Sequence, residues 1–221
     1  MKQRCFYKRC FFYAAICLCG TPGLKNTGDR GIIMEKNIRE LLDVCPVIAA
    51  VKDSDSLEKG IHSDIPVIFV LFGDICSIEE IVERLKQAGK TVFVHLDLIQ
   101  GLSSREVAVD FLKARTRADG IISTKINVIN YASQKGLYTI FRVFLVDTKA
   151  YETLVKQKKQ IHTDVLEILP GVMPRIIRRL SENFSVPVIA SGLIMEKEDV
   201  IEGLKAGAAA ISTTNIKVWE M

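Results

Sequence analysis

The sequence of 221 residues is short of several things, and each shortage removes a class of function. It holds three histidines, at 62, 95 and 162. They are too widely separated to form a metal-ligand motif, so no metal site is expected. Neither a GxGxxG turn nor a P-loop occurs, so no dinucleotide or nucleotide cofactor is expected. No uncharged run reaches the ~20 apolar residues of a membrane span, so no membrane partner is expected. Aromatics make up 7% of the chain, with one tryptophan, too few to suggest a stacking platform for unpaired bases. Cysteine is concentrated at one end: Cys5, Cys10, Cys17 and Cys19 lie within residues 1–33, and Cys45 and Cys76 are the only others. Two cysteines in the rest make no disulfide framework and fit a reducing compartment. A global basic field is missing too. Of 30 basic and 26 acidic residues, residues 1–33 take Lys2, Arg4, Lys8, Arg9, Lys25 and Arg30 against Asp29 alone, which leaves 24 and 25 in 34–221. Any nucleic-acid surface there must be a local patch.

Residues 1–33 differ from the rest and are read as an atypical leader. A basic start, MKQRCFYKR, precedes the apolar stretch 10–19 and then Gly20-Thr21-Pro22-Gly23, the outline of a secretory signal. A misplaced start competes with that reading, because Met34 opens the plausible helix MEKNIRELLDV; so do a disordered tail and a membrane anchor.

What the chain has from residue 34 onward is eight short apolar runs. They cover 47–51, 66–73, 91–99, 119–124, 138–147, 165–171, 187–194 and 208–215. Strands apolar on both faces belong to a parallel sheet covered by helices. Eight strand–helix units in about 180 residues predict one α/β domain over 34–221, a compact (β/α)₈ TIM-type barrel. A helix over 35–44 is expected to plug its bottom. Ser77 with Glu80 reads as a capping box, Ser103 or Ser104 as the start of a helix carrying Val107, Val109, Phe111 and Leu112, and Asp147 or Thr148 as the cap of the helix 149–159. Pro174 suits a first helical turn, and Gly207 closes a helix over 197–206. The link 52–65 promises a weak helix at best, and the last helix is short or missing.

A barrel places its chemistry at the carboxyl ends of its strands. Strands seven and eight end in Ser191-Gly192 and Ser212-Thr213-Thr214-Asn215. Glycine lets backbone N–H groups approach an anion, hydroxyls donate to it, and a helix start favours its charge. Ser191, Gly192, Thr213, Thr214 and Asn215 are therefore the expected phosphate ligands. Asp97, Lys125, Arg142 and Glu167 form a second cluster, readable either as an ionic core or as a polyol site. His95 and Asp97 share a strand face and invite acid–base chemistry, and Lys125 invites a Schiff base. Such roles would make the chain a small phosphosugar-converting enzyme; a structural role for the histidine is the competing reading. Arg175, Arg178 and Arg179, at i, i+3 and i+4, share a helix face and are the expected RNA contacts.

The set of motifs is more specific than any one of them. VFVHLDLIQGLS (92–103), EVAVDFL (106–112), DGIISTK (119–125), EILPGVMP (167–174), ASGLI (190–194) and AAAISTTN (208–215) together resemble the glycerol-3-phosphate-responsive antiterminators, the glycerol uptake operon antiterminator regulatory proteins. The resemblance covers about 35–221. It implies a cytoplasmic regulator and not an enzyme, with glycerol 3-phosphate as effector ligand, no cofactor, and the leader mRNA of glycerol-utilisation genes as partner; it leaves a homo-oligomer open. Carried over by position, Ser191, Gly192 and Thr213 to Asn215 would hold the phosphate. Asp97, Lys125 and Glu167 would lie near the glycerol hydroxyls.

Overall fold

The computed structural model describes residues 38–220. The leader and the first residues of the helix expected over 35–44 lie outside the described residues.

Eight parallel strands close into a barrel in chain order: β1 (Val47–Val51), β2 (Val67–Val70), β3 (Thr91–His95), β4 (Gly120–Ser123), β5 (Tyr138–Phe144), β6 (Val165–Leu169), β7 (Val188–Ser191) and β8 (Ala210–Thr213). Each lies within one of the eight apolar runs. The β8–β1 pairs Val47↔Ile211 and Ile48↔Ser212 complete the circle, which leaves no open sheet edge. Around the strands run α2 (Ser54–His62), α3 (Ile78–Gln87), α4 (Glu106–Arg115), α5 (Ile126–Gln134), α6 (Thr148–Gln157), α7 (Pro174–Asn183), α8 (Lys197–Lys205) and the single turn α9 (Ile216–Trp219).

The strands are apolar on both faces because they separate two cores. Outward residues such as Val70, Val94 and Ile168 pack with helix residues such as Ile78, Val82, Leu85 and Leu180. Inward residues Ile48, Phe69, Phe93, Ile122, Ile140, Val165 and Ile189 fill the barrel. Phe69 and Phe93 meet edge to face there, with centroids 5.7 Å apart. The helix α1 (Ile38–Val44) adds Ile38 and Leu42 to this inner cluster and so closes the amino-terminal end, as its position before β1 suggested.

Local signals held at three helices and failed at three. Asp147 caps α6 by accepting from the Ala150 N–H at 2.8 Å, Pro174 is the first residue of α7, and Gly207 follows α8 at φ +103°. The weak link 52–65 is instead a nine-residue helix, α2. Its capping box uses a serine where glutamate is usual: Asp53 accepts from the Ser56 N–H at 2.8 Å, and the Ser56 hydroxyl accepts from the Asp53 N–H at 3.1 Å. The expected box at Ser77 does not form. The Ser77 hydroxyl turns back to donate to Asp74 Oδ1 at 2.9 Å, and that carboxylate also accepts from the Cys76 and Ser77 N–H groups. Finally, α4 starts after Arg105 rather than at a serine, and Val107 is 66% exposed while Ala108, Val109 and Leu112 are buried.

Candidate ligand site at the barrel mouth

Side chains alternate across a strand, and in an eight-stranded barrel the inward ones from alternate strands share a layer. The strand register, including His95↔Ile122, Arg142↔Glu167, Glu167↔Ile189 and Ser191↔Ser212, sets their heights. Ile48, Phe93, Ile140 and Ile189 make an apolar layer. Above it, Glu167 and Ser212 sit with Phe69 and Ile122. Above that, His95, Arg142 and Ser191 sit with Ala50. The barrel interior therefore turns polar at the carboxyl ends of its strands.

Within these layers Arg142 and Glu167 form a buried bidentate pair. Arg142 Nε donates to Glu167 Oε2 at 2.6 Å and Nη2 to Oε1 at 3.0 Å, with side-chain exposures of 7% and 0%. Of the four residues expected to cluster, these two pair with each other. Asp97 stands apart, because β3 ends at His95 and Asp97 lies in a 3₁₀ turn, Leu96–Leu98. It shares no strand face with His95. Its carboxylate accepts from the Ser123 hydroxyl at 2.9 Å, the Thr124 N–H at 2.7 Å and the Thr124 hydroxyl at 2.8 Å, which ties the β3 turn to the end of β4. Burial opposes ionisation of Asp97, but the Thr124 N–H, the Thr124 hydroxyl and the Ser123 hydroxyl together outweigh it and hold the carboxyl below its usual range. Lys125 caps the start of α5 with its side chain exposed and, among the described residues, has no carboxylate partner.

His95 is 3% exposed. Burial first, and the Arg142 guanidinium second, push its pKa down to about 4 against the opposing pull of Asp97, so the ring is neutral at neutral pH. Its Nδ1 has no hydrogen-bond partner among the described residues. The hydroxyl of Ser212, which is fully buried, has none either.

The expected phosphate ligands come together on the loops after β7 and β8, and several already bind each other's loops. The Ser191 hydroxyl donates to the Ser212 carbonyl at 3.3 Å. The Thr213 hydroxyl donates to the Ile194 carbonyl at 3.0 Å and accepts from the Asn215 N–H at 3.0 Å. Asn215 Nδ2 donates to the Met195 carbonyl at 2.7 Å, while its Oδ1 accepts from the Lys217 N–H at 3.1 Å. Thr214 is exposed on the same rim. Gly192 and Leu193 both have left-handed backbone, at φ +77° and +60°; a leucine there is strained and is held by the stitched loops. The β6 loop joins in. The Gly171 N–H donates to the Gly192 carbonyl at 3.0 Å, and a Cβ on Gly171 would stand 2.7 Å from the Ser191 nitrogen.

The arginines of α7 behave as their spacing implied. Ile177 and Leu180 face the core, while Arg175, Arg178 and Arg179 are exposed and, among the described residues, unpaired with any carboxylate. Arg142 and Glu167 point into the barrel, as the alternation along their strands implies, and His95 and Ser212 join them there. No helix among the described residues is long and apolar enough to cross a membrane. Among the same residues no three His, Cys, Asp or Glu side chains group as a metal site.

Comparison with known proteins identifies the family. The sequence profile of the family described as glycerol-3-phosphate responsive antiterminator matches residues 47–219. The crystal structure of a glycerol uptake operon antiterminator regulatory protein from Listeria monocytogenes has a TM-score of 0.77 at 33% identity, covering 80% of this chain and 95% of that one. A glycerol uptake operon antiterminator-related protein from Thermotoga maritima gives 0.71 at 36% identity, covering 79% and 98%. The Escherichia coli protein YgcP is 45% identical over 181 residues, 82% of this chain and 95% of its own. Deoxyribose phosphate aldolase from Aeropyrum pernix, with a TM-score of 0.61 at 16% identity, shares the fold alone. With a family profile matched over most of its length, the chain belongs to the glycerol-3-phosphate responsive antiterminator family.

Proposed function

We propose that this protein is a transcription antiterminator that responds to glycerol 3-phosphate and acts on the leader mRNA of glycerol-utilisation genes in the cytoplasm. One observation carries the reading within the family: the loops after β6, β7 and β8 are joined to one another at the mouth. Gly171 touches Gly192 through a backbone hydrogen bond, and Thr213 and Asn215 reach the β7 loop. A phosphate received at Ser191, Gly192 and Thr214 would bear on all three loops at once. The β6 loop runs straight into Pro174 and Arg175, the start of α7. Occupancy of the mouth is thereby linked to the arginine face of Arg175, Arg178 and Arg179, the basic patch proposed to contact the RNA backbone. Because the residues from 34 onward are nearly neutral overall, binding rests on that patch and is salt-sensitive.

Calorimetry on the full chain tests both halves. Glycerol 3-phosphate should bind more tightly than inorganic phosphate. By linkage, saturating leader RNA should tighten the metabolite by the same factor as the metabolite tightens RNA. Metabolite affinity unchanged by RNA would overturn the coupling. The aldolase-like fold invites one more measurement. No turnover of three- to five-carbon sugar phosphates is expected; turnover abolished in His95→Ala would replace the regulator with an enzyme.

A further inference from the structure

Trp219, in α9, is the only tryptophan of the chain, and its ring packs against the outer core. Its indole Nε1–H donates to the Thr213 carbonyl at 2.9 Å. Around that carbonyl the β8 loop is tied to the β7 loop by two side chains. The Thr213 hydroxyl donates to the Ile194 carbonyl and Asn215 Nδ2 to the Met195 carbonyl. Neither tie fixes the plane of the Thr213–Thr214 peptide that lies between them. Turning that plane over exchanges the places of the Thr213 oxygen and the Thr214 N–H while both ties stay made. The indole bond opposes the turn. It also sets a direction, because a trans peptide carries its carbonyl and the following N–H on opposite sides. β8 lies between β1 and β7, and α9 packs on β1. With its oxygen drawn to Trp219, the peptide turns the Thr214 N–H the other way, toward the β7 loop. There it has no acceptor among the described residues, and neither has the Gly192 N–H.

We propose that Trp219 is a positioning residue for the rim: its indole holds the Thr213 carbonyl so that the Thr214 N–H faces the β7 loop as an anion donor. The assignment rests on the phosphate reading of that rim and adds what keeps one of its donors in place. In one orientation the peptide offers an anion a hydrogen; turned over, it offers a carbonyl oxygen, which repels it. The bond to Trp219 therefore selects the binding form of the loop, and affinity scales with the share of chains in that form. One hydrogen bond is a modest weight, so its loss shifts that share without unmaking the loop. The influence runs both ways by linkage: an anion that engages the Thr214 N–H fixes the same peptide and so tightens the indole bond. Because the N–H meets phosphate oxygens only, the effect is the same whatever is esterified to the phosphate.

Two measurements on the full-length protein test this. Calorimetry with glycerol 3-phosphate and inorganic phosphate compares the wild type with Trp219→Phe, which keeps a ring against the outer core and removes the donor. The variant should bind both ligands about three- to tenfold more weakly, the size of one hydrogen bond, with their ratio unchanged. The second measurement needs no variant. A single tryptophan gives one indole N–H signal in a nitrogen–proton correlation spectrum. That signal should move as either ligand is added and level off at the saturation that calorimetry gives. A tryptophan that only packs would leave affinity and signal alone. Wild-type binding with an unmoved indole signal, or equal binding by a folded Trp219→Phe, overturns the positioning role while the rim stands. A changed ratio between the two ligands overturns it too, since the lost contact would then lie at the esterified end. Failure of both ligands to bind the wild type overturns the rim and the role of Trp219 together.

Discussion

Arg142 and Glu167 offer the sharpest test of how the barrel interior is built. Glu167 is wholly buried and Arg142 nearly so, and they meet through two hydrogen bonds of 2.6 and 3.0 Å. Removing one partner leaves the other charge buried without a counter-ion. Losses of about 3–5 kcal/mol are typical for such single deletions. For a domain of this size each kcal/mol moves the melting temperature by roughly 2–4 °C, so Arg142→Met or Glu167→Leu should lower it by about 6–20 °C. The double variant should recover most of that loss, because two apolar side chains of similar bulk need no solvation and an ion pair repays little beyond its own dehydration. Urea denaturation of the four proteins gives the coupling free energy, expected at about 3 kcal/mol or more. His95 supplies an internal check. In Arg142→Met the guanidinium that helps depress its pKa is gone while burial still holds it down, so the imidazole should titrate above its value of about 4. If the double variant is as unstable as the two losses added together, Arg142 and Glu167 do not act as a pair and the polar layer is held some other way.

Acid stability should carry the signature of His95. Its folded pKa of about 4 lies below the 6.5 of an unfolded histidine, so between these values the unfolded chain binds more protons and stability is lost as pH falls from 6.5 to 4, by about 3 kcal/mol in all. Urea midpoints of His95→Phe should change less than wild type from pH 6.5 to 4; parallel curves would mean the ring is not held neutral. Gly120→Ala should cost more than about 2 kcal/mol, since its methyl would lie 2.4 Å from the Tyr138 carbonyl oxygen. Gly203→Ala, meeting only the tip of Ile211 at 2.6 Å and gaining helix propensity, should stay within about 1 kcal/mol of wild type; equal melting temperatures for the two would contradict the close approach of β4 and β5. Replacing Arg175, Arg178 and Arg179 with glutamine should reduce the salt slope of leader-RNA binding by about 2. An unchanged slope would move the RNA surface off α7.

The strands were legible because burial on both faces writes an unbroken apolar run, and nothing else in a chain of this length does so eight times. Capping was legible only where one acceptor had no rival. Asp147 faces Ala150 alone, but the Ser-x-x-Glu pattern at Ser77 loses to Asp74, three residues earlier, which takes the same N–H. Asp53 and Ser56 form a box whose chemistry is standard and whose spelling is not. At the mouth, sequence picked out the strand ends but not which atoms were still available. That depends on distances between loops, as when Thr213 meets Ile194 or Asn215 meets Met195. It depends also on strand phase: the apolar run 91–99 conceals that β3 stops at His95, and one turn of 3₁₀ helix carries Asp97 out of line with it.

The small helix ahead of β1 has a consequence for traffic. With the barrel filled by inward side chains and Ile38 and Leu42 lodged against them, its amino-terminal end is shut. A solute at the mouth enters past the βα loops and must leave by the same doorway. Anything that tightens that lip slows escape as much as entry, so a messenger docked across it would lengthen the residence of whatever lies beneath.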